Sequence, residues 1–408
     1  MMDITHRKIN KVLKITDGNN NPIAGEKIHV KLTNHDFLFG CGAFETIYYM
    51  NNPEGEEYDR LKDGIDKWLD LFNYGTLPFY WALYEKNEGE TDENLLKPAA
   101  EFLLSKGVKT KGHTLCWHSV CAKWLMDYDN DAVMNKLLKR IEREMSAFKG
   151  IIDIWDVINE VVIMPDFDKE DNAITRLCKD KGRVGLTKEV FDMAKSANPD
   201  ATLLINDFNT SSSYEKLIDE LLSAGVPVSA IGIQSHQHQG FWGREKLEEV
   251  LERYSRFNLP IHFTENTLVS GSLIPEYIVD LNDWQVEEWP STPEGEERQK
   301  KEMEEMYRIL FAHPLVEAVT NWDFRDGAWL KAPSGIVRID GSAKPAYYML
   351  KDLIHGEWST DLTTESDENG FVKFEGFKGE YEIECSGLTK KASFLNNDEE
   401  QIKFEIGR

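Results

Sequence analysis

The stretch IIDIWDVINE, residues 151–160, decides the fold prediction because it is a short apolar run that ends in an amide and a carboxyl. It is too short for a typical globular helix, and it suits a strand buried on both faces, as in a parallel barrel. Burying Asn159 and Glu160 at the tip of a strand is costly if they serve packing alone. Catalytic groups, however, lie at the C-terminal ends of barrel strands. A solvated Glu at the end of an ordinary strand is the alternative reading.

Strand-like and helix-like segments alternate through most of the chain. Strand character occurs at 37–44, 74–78, 108–117, 151–159, 201–206, 229–234, 259–265 and 316–322. Helical spacing with a polar face occurs at 58–72, 95–107, 131–148, 215–225, 244–257, 296–313 and 344–354. Eight strand-like segments with helical stretches between them predict an α/β fold, a (β/α)8 TIM barrel over residues 36–356.

The two chain ends depart from this pattern. Residues 9–34 alternate apolar and polar side chains around the turn sequences Asp17-Gly18 and Asn21-Pro22, which predicts a β-hairpin within residues 1–35. Residues 357–408 have the pattern of short strands with Asn-Gly and Lys-Gly turns. We predict that the two ends form one small all-β module, Ig-like or transthyretin-like, into which the barrel is inserted.

Composition excludes several classes of partner. The net charge of −25 argues against nucleic acid and anionic membranes. The chain has no apolar run long enough for a membrane span. Its five cysteines lack the spacing of a disulfide framework or a zinc knuckle. The start, MMDITHRKINK, has no apolar signal segment, so we expect a cytoplasmic protein or a secreted one whose signal has been removed. We expect a monomer.

The ends of the predicted strands are polar and aromatic. They carry His113, Trp117 and His118 on the third strand, Asn159 and Glu160 on the fourth, Asn206, Asp207 and Asn209 on the fifth, Gln234, His236 and His238 on the sixth, Glu265 on the seventh, and Trp322, Asp326 and Trp329 on the eighth. Tryptophan faces stack on sugar rings, and amides bond hydroxyl groups. Two carboxyls that face each other across a barrel mouth, about 5–5.5 Å apart, are what a retaining glycosidase needs.

Other interpretations of these residues stay open at this point. Any single aromatic residue here is more often part of a core than a sugar platform. His236 and His238 have the spacing of a metal pair, as in metal-dependent barrel hydrolases, although a hydrogen bond from His236 to a carboxylate is the favoured role. We expect neither a metal ion nor an organic cofactor.

Two motifs that contain the glutamates resemble those of glycoside hydrolase family 10, whose founding activity is endo-1,4-β-xylanase. WDVINE (155–160) is similar to the family's acid/base motif, and FTEN (263–266) is similar to its nucleophile motif. The resemblance extends from about residue 37 to 355. It implies that Glu160 is the acid/base and Glu265 the nucleophile.

Four further motifs resemble the same family and imply substrate contacts. They are GHTLCWH (112–118), INDFN (205–209), IQSHQH (233–238) and NWDFRDGAW (321–329). The sugar-binding residues that the resemblance implies are His113, Trp117, Asn159, Gln234, His236, Trp322 and Trp329. Within this set Asn159 would bond the sugar 2-hydroxyl, His236 would partner the nucleophile, and the last two tryptophans would wall the −1 subsite.

The second-strand motif departs from the family. That motif normally carries an Asn and a Lys before a Trp, and they hold the glycone sugars. Here TLPFYWALYE (76–85) keeps Trp81, places Tyr80 near the Lys position, has no clear match for the Asn and is two residues short. We assign Trp81 and Tyr80 to substrate binding. After the nucleophile, Asn266-Thr267 replaces the usual Leu-Asp, whose Asp orients the histidine.

These features predict a retaining endo-1,4-β-xylanase that cleaves xylan or xylo-oligosaccharides by double displacement. Three alternatives remain: a β-glycosidase of different glycan specificity, a non-catalytic glycan-binding protein on the same barrel, and a metal-dependent hydrolase that uses His236 and His238.

Overall fold

The computed structural model describes residues 2–397 and 402–406. The strands, in chain order, are β1 (Lys8–Asp17), β2 (Lys27–His35), β3 (Leu38–Gly42), β4 (Tyr74–Pro78), β5 (Lys109–Cys116), β6 (Ile154–Asn159), β7 (Thr202–Asp207), β8 (Ala230–Ile233), β9 (Ile261–Asn266), β10 (Val316–Asn321), β11 (Asp361–Glu365), β12 (Phe371–Phe377), β13 (Gly379–Cys385), β14 (Leu388–Phe394) and β15 (Ile402–Ile406). The described residues fall into two compact units, one within Met1–Leu38, Phe311–Pro314 and Tyr348–Arg408, and the other within Phe39–Leu310 and Leu315–Tyr347.

The larger unit is a closed barrel of eight parallel strands in the order β10-β3-β4-β5-β6-β7-β8-β9. This confirms the predicted TIM barrel, and each of the eight strands overlaps its predicted segment. In β6 the side chains of Trp155, Val157 and Ile158 are fully buried. Burial on both faces explains why this strand is mostly apolar.

Helices follow the barrel strands and cover the barrel. They are α1 (Glu45–Asn51), α2 (Glu56–Leu69), α3 (Trp81–Tyr84), α4 (Glu93–Ser105), α5 (Asn130–Ala147), α6 (Ala173–Ala197), α7 (Ser212–Ser223), α8 (Gly243–Ser255), α9 (Pro293–Ala312) and α10 (Pro345–Lys351). Among the described residues, none of the helices combines the length and the apolar character needed to cross a bilayer.

Helix α6 is the long helix that the sequence analysis does not predict. Gly182 interrupts it with a φ of +73°, so the segment is two helices that meet at a kink. The kink shifts the apolar face between the two halves, and a single helical period therefore does not extend through the segment.

The smaller unit contains two sheets built from both ends of the chain, in the orders β12-β1-β15 and β11-β2-β13-β14. Its two sheets contact each other through Phe374, whose ring centroid lies 6.0 Å from that of Tyr381 and 5.9 Å from that of Phe394. The predicted all-β module formed from the chain ends is confirmed. Its resemblance to Ig-like or transthyretin-like modules and the boundaries 1–35, 36–356 and 357–408 stay predictions.

The predicted N-terminal hairpin is wrong. β1 pairs with β12 and β15, whereas β2 pairs with β11 and β13 in the other sheet. Alternating side chains reveal which face of a strand is buried, but they do not identify the neighbouring strand. The turn at Asp17, whose carboxylate accepts the Asn21 N–H, leads the chain from one sheet to the other.

Candidate active site

Glu160 follows the last residue of β6, at the C-terminal mouth of the barrel. Its φ is +55°, and its backbone N–H donates to the Asn206 carbonyl at 2.8 Å. Asn159 Nδ2 donates to its Oε1 at 3.4 Å, and two closer side chains hold the carboxyl: Trp117 Nε1 donates to Oε2 at 2.9 Å, and Gln234 Nε2 donates to Oε1 at 3.0 Å. Burial raises the pKa of Glu160 above its usual value of 4.5 although these two donors oppose the shift. The carboxyl is therefore suited to holding a proton.

Glu265 lies within β9 and is buried. Asn206 Nδ2 donates to its Oε1 at 2.7 Å, and His236 Nε2 lies 3.2 Å from its Oε2. Burial by itself would raise the pKa of Glu265, but His113, His236 and Lys111 outweigh it and lower that pKa. The pKa values of the two glutamates are thus shifted in opposite directions. Such a difference allows one carboxyl to hold a proton while the other is ionised.

A chain of amides connects the two carboxyls. Gln234 Nε2, which holds Glu160, also donates to Asn159 Oδ1 at 3.1 Å, and Asn206 Nδ2, which holds Glu265, donates to the same oxygen at 2.9 Å. Thr264 Oγ1 donates to Asn206 Oδ1 at 2.7 Å and so fixes the orientation of that amide. Because every link is made, both carboxyls are held in place before any ligand binds.

Aromatic rings surround these carboxyls. Trp322 lies with its ring centroid 5.3 Å from that of His113 and 6.2 Å from that of His236. Trp329 lies 4.6 Å from His236 and 5.1 Å from His238, again between centroids. The rings form apolar walls beside a polar floor, the arrangement that binds sugar rings.

The two residues assigned from the second-strand motif occupy different environments. The ring of Tyr80 lies 5.7 Å from those of His113 and Trp117, beside the carboxyls. Trp81 is buried against Trp124 and the Arg140 guanidinium, and its Nε1 donates to Glu85 Oε2 at 3.1 Å. The structure therefore brings Tyr80 into the site, and it gives Trp81 a set of packing partners.

Several residues of the site received no role from the sequence. Asn206 was noted at a strand end, but its bridging position was not predicted. Lys111 and Asp156 are fully buried charged residues within strands, and that placement is the signal that could have identified them. Asp323 is a further buried carboxyl, and burial raises its pKa to about 6. Its Oδ2 accepts the Ser334 hydroxyl at 2.5 Å.

The histidines do not form a metal site with one another. His238 Nδ1 lies 3.1 Å from Thr267 Oγ1, and burial together with the nearby His236 lowers the pKa of His238 to about 3. A different trio, His113, Asp156 and Glu265, places one polar atom each within 4.8 Å of the others. Lys111 Nζ, however, lies 2.7 Å from Asp156 Oδ2 and already supplies a cation to that carboxylate.

Comparison with known proteins finds a matching family model and several relatives. A family model described as glycosyl hydrolase family 10 matches residues 80–353, more than half of the chain. Two curated relatives are the anti-sigma-I factor RsgI6 of Acetivibrio thermocellus, 26% identical over 92% of this chain and 45% of the relative, and an endo-1,4-beta-xylanase/feruloyl esterase of Xylanibacter ruminicola, 25% identical over 69% of this chain and 42% of the relative. The chain therefore spans less than half of the length of either.

A solved structure supports the fold. Xylanase 10B of Thermotoga petrophila, in complex with xylobiose, superposes with a TM-score of 0.63 at 21% identity. The alignment covers 79% of this chain and 95% of that one.

Proposed function

The chain belongs to glycosyl hydrolase family 10, and from this premise we propose that it is a retaining endo-1,4-β-xylanase that acts on xylan or xylo-oligosaccharides. The observation that carries the proposal is the opposed tuning of two carboxyls joined by one amide chain. Glu160 has a raised pKa and Glu265 a lowered one. A retaining glycosidase needs this combination, an acid that holds its proton and a nucleophile that does not.

The reaction has two displacements. Glu265 attacks the anomeric carbon and forms a glycosyl-enzyme ester, while Glu160 gives its proton to the departing glycosidic oxygen. Glu160, now ionised, then takes a proton from water as that water attacks the anomeric carbon and releases Glu265. Glu160 thus regains its proton, and Glu265 regains its charge.

The remaining side chains would hold the sugar. Asn159 and Gln234 lie between the carboxyls, where they can bond a hydroxyl of the sugar at the cleavage point. His113, Trp117, Trp322 and Trp329 would form the walls of the −1 subsite, and His236 would orient Glu265. Tyr80 would contact the glycone, and Trp81, which packs against Trp124 and Arg140, would support the start of α3. Two relatives named or titled as xylanases make a xylan-type substrate the first to test.

The test is product analysis after incubation with linear xylan, glucuronoxylan, arabinoxylan, xylo-oligosaccharides and cellulose. We expect xylo-oligosaccharides from the wild type and none from Glu265→Ala. Proton NMR of the first product should show the β-anomer, as retention requires. Initial release of the α-anomer, or equal release by the variant, would contradict the mechanism.

A different β-glycan specificity is the second candidate, and the β4 end favours it. Tyr80 stands near the position of the family's Lys, the family's Asn has no clear match, and these are the residues that hold glycone sugars in the family. If no xylan is cleaved, the same assay on other β-glycans and aryl β-glycosides tests this candidate. Binding to xylan without any turnover would favour the non-catalytic glycan-binding alternative.

A further inference from the structure

Lys111 is a lysine with no exposed surface, and its charge acts on Glu265. It belongs to β5, two residues before His113, so both side chains lie on the same face of the strand. Between them, Gly112 faces the other way, where a Cβ would lie only 2.2 Å from the Trp155 ring. The tryptophan thus fixes which face of β5 is turned inward. Burying a lysine there is costly unless a partner compensates it.

That partner is Asp156, whose Oδ2 lies 2.7 Å from Lys111 Nζ. The same oxygen lies 2.7 Å from His113 Nδ1, and that nitrogen is 3.9 Å from Oε1 of Glu265. Asp156 and Glu265 themselves approach each other within 4.8 Å. The structure therefore places two buried carboxyls close together, beside one fixed cation.

Two buried carboxyls at such a separation ordinarily share a proton, because a second negative charge is unfavourable in a low dielectric. A nucleophile in that situation would be protonated for part of the time. Here the pKa values of both carboxyls are lowered, although burial would raise each of them, and Lys111 and His113 contribute to both shifts.

We propose that Lys111 is a positioning residue that neutralises Asp156, so that Glu265 can carry its negative charge and attack the sugar. Lys111 reaches no substrate itself and acts through Asp156 and His113. The inference rests on the proposed function for the role of Glu265, but the electrostatic effect exists whether or not xylan is the substrate.

Other titratable groups face the cluster of Lys111, Asp156, His113 and Glu265. None of them is substituted in the test. They are Tyr74 on β4, whose hydroxyl is near Asp156, His236 beside Glu265, and Glu160, Tyr80 and Asp323 at the mouth of the barrel. His262 lies against Tyr74, with 6.3 Å between the ring centroids.

The experiment compares Lys111→Met with the wild type on an aryl β-xylobioside whose leaving group needs no acid. On such a substrate the acidic limb of kcat/KM reports the ionisation of Glu265. We expect this limb to move upward by about one pH unit, so that activity on the limb falls roughly tenfold while activity on the plateau stays near that of the wild type. Lys111→Arg, which keeps the charge, should retain the limb of the wild type.

The double variant Lys111→Met/Asp156→Asn is the matched control. It removes the competing carboxyl together with the lysine, so we expect the limb to return toward that of the wild type. It also leaves no unpaired buried charge. Lys111→Gln, which is also uncharged, is the second neutral variant if the methionine variant does not fold. The proposal would be overturned if the acidic limb of kcat/KM did not move in a folded neutral variant, or if kcat/KM fell equally at every pH.

A carbon-13 NMR titration separates this inference from the proposed function. Protein labelled at the glutamate carboxyls, with Glu265→Gln to assign the signal, reports the pKa of Glu265 without turnover. If the wild type cleaves no glycoside but Lys111→Met raises that pKa, the proposed function fails and the inference about Lys111 holds. If turnover occurs and the pKa does not move, the inference fails alone.

Discussion

The ends of β6, β9 and β4 lie at the same barrel mouth, but their side chains are hydrogen-bonded to different degrees. Each oxygen of Glu160 and Glu265 lies within hydrogen-bond distance of a named side chain. At the end of β4, the Tyr80 hydroxyl has no hydrogen-bond partner among the residues that the structure describes. The side chains at one strand end can therefore be fully hydrogen-bonded while those at another are not, because each strand end contributes its loop separately.

The largest effects should come from the carboxyls. Glu160→Ala and Glu265→Ala should each lower kcat/KM on xylan by on the order of 10⁴-fold or more, since each removes a group that takes part in bond breaking. With an activated aryl β-xyloside and added azide, Glu160→Ala should yield the β-glycosyl azide and Glu265→Ala the α-glycosyl azide. The reverse assignment of anomers would exchange the two roles.

A smaller loss should follow from breaking the amide chain between the carboxyls. Asn206→Ala removes the donor to Glu265 and to Asn159, and we expect kcat to fall by roughly 10²-fold, as when one positioned donor is lost from a transition-state site. Asn198→Ala is the matched control, because that buried amide donates to Asp153 at 2.8 Å, before the start of β6. An equal loss of kcat in both variants would mean that the chain of amides contributes to stability alone.

The pH profile of kcat/KM should be bell-shaped, with a change of about tenfold per pH unit outside the plateau. Activity requires Glu265 ionised and Glu160 protonated. It should rise as pH passes upward through the pKa of Glu265, below 4.5, and fall as pH passes through that of Glu160, above 4.5. Glu160→Ala, measured on an activated aryl glycoside, should lose the falling limb. A falling limb that persists in this variant would belong to another group.

The sequence indicates where the candidate site lies because polar residues at the tips of apolar strands are conspicuous. Glu160 directly follows β6, and Glu265 lies within β9. The structure brings both glutamates to one site, as their positions at strand ends predict. The sequence analysis assigned no role to Asp156 and Lys111. A charged residue within a buried strand argues against the strand prediction until the residue that compensates its charge is known. That partner comes from a neighbouring strand, and single-sequence patterns do not determine pairing.

The same limit explains the error at the N-terminus. Residues 9–34 contain two strands and a turn, and adjacent strands joined by a short turn usually pair. Here β1 and β2 pair with strands more than 300 residues later, so the local pattern could not identify their partners.

A substitution of Tyr80 tests whether the end of β4 binds sugar. Tyr80→Phe removes only the free hydroxyl, so we expect KM for xylo-oligosaccharides to rise by about two- to tenfold, the effect of one hydrogen bond, with kcat less affected. Tyr347→Phe is the matched control, because its hydroxyl donates to Asp70 Oδ2 at 2.7 Å and should affect stability alone. An unchanged KM in Tyr80→Phe would leave the hydroxyl without a role in binding.

Trp81 should give the smallest change in activity, although it is the residue that the second-strand motif shares with the family. Trp81→Phe loses the hydrogen bond to Glu85 and part of the contact with Arg140, so the free energy of unfolding should fall by about 1–2 kcal/mol. Because the indole packs against Trp124 and Arg140, kcat and KM should change by less than about twofold, within the range of a substitution that leaves the reacting groups in place.

A tenfold rise in KM for Trp81→Phe, with the unfolding midpoint unchanged, would contradict this expectation and place the indole in a sugar subsite. The neighbouring positions 80 and 81 would then both bind the glycone, and the end of β4 would be a modified family subsite. With the expected result, Tyr80 is the one of the two that faces the ligand, and Trp81 stabilises the start of α3.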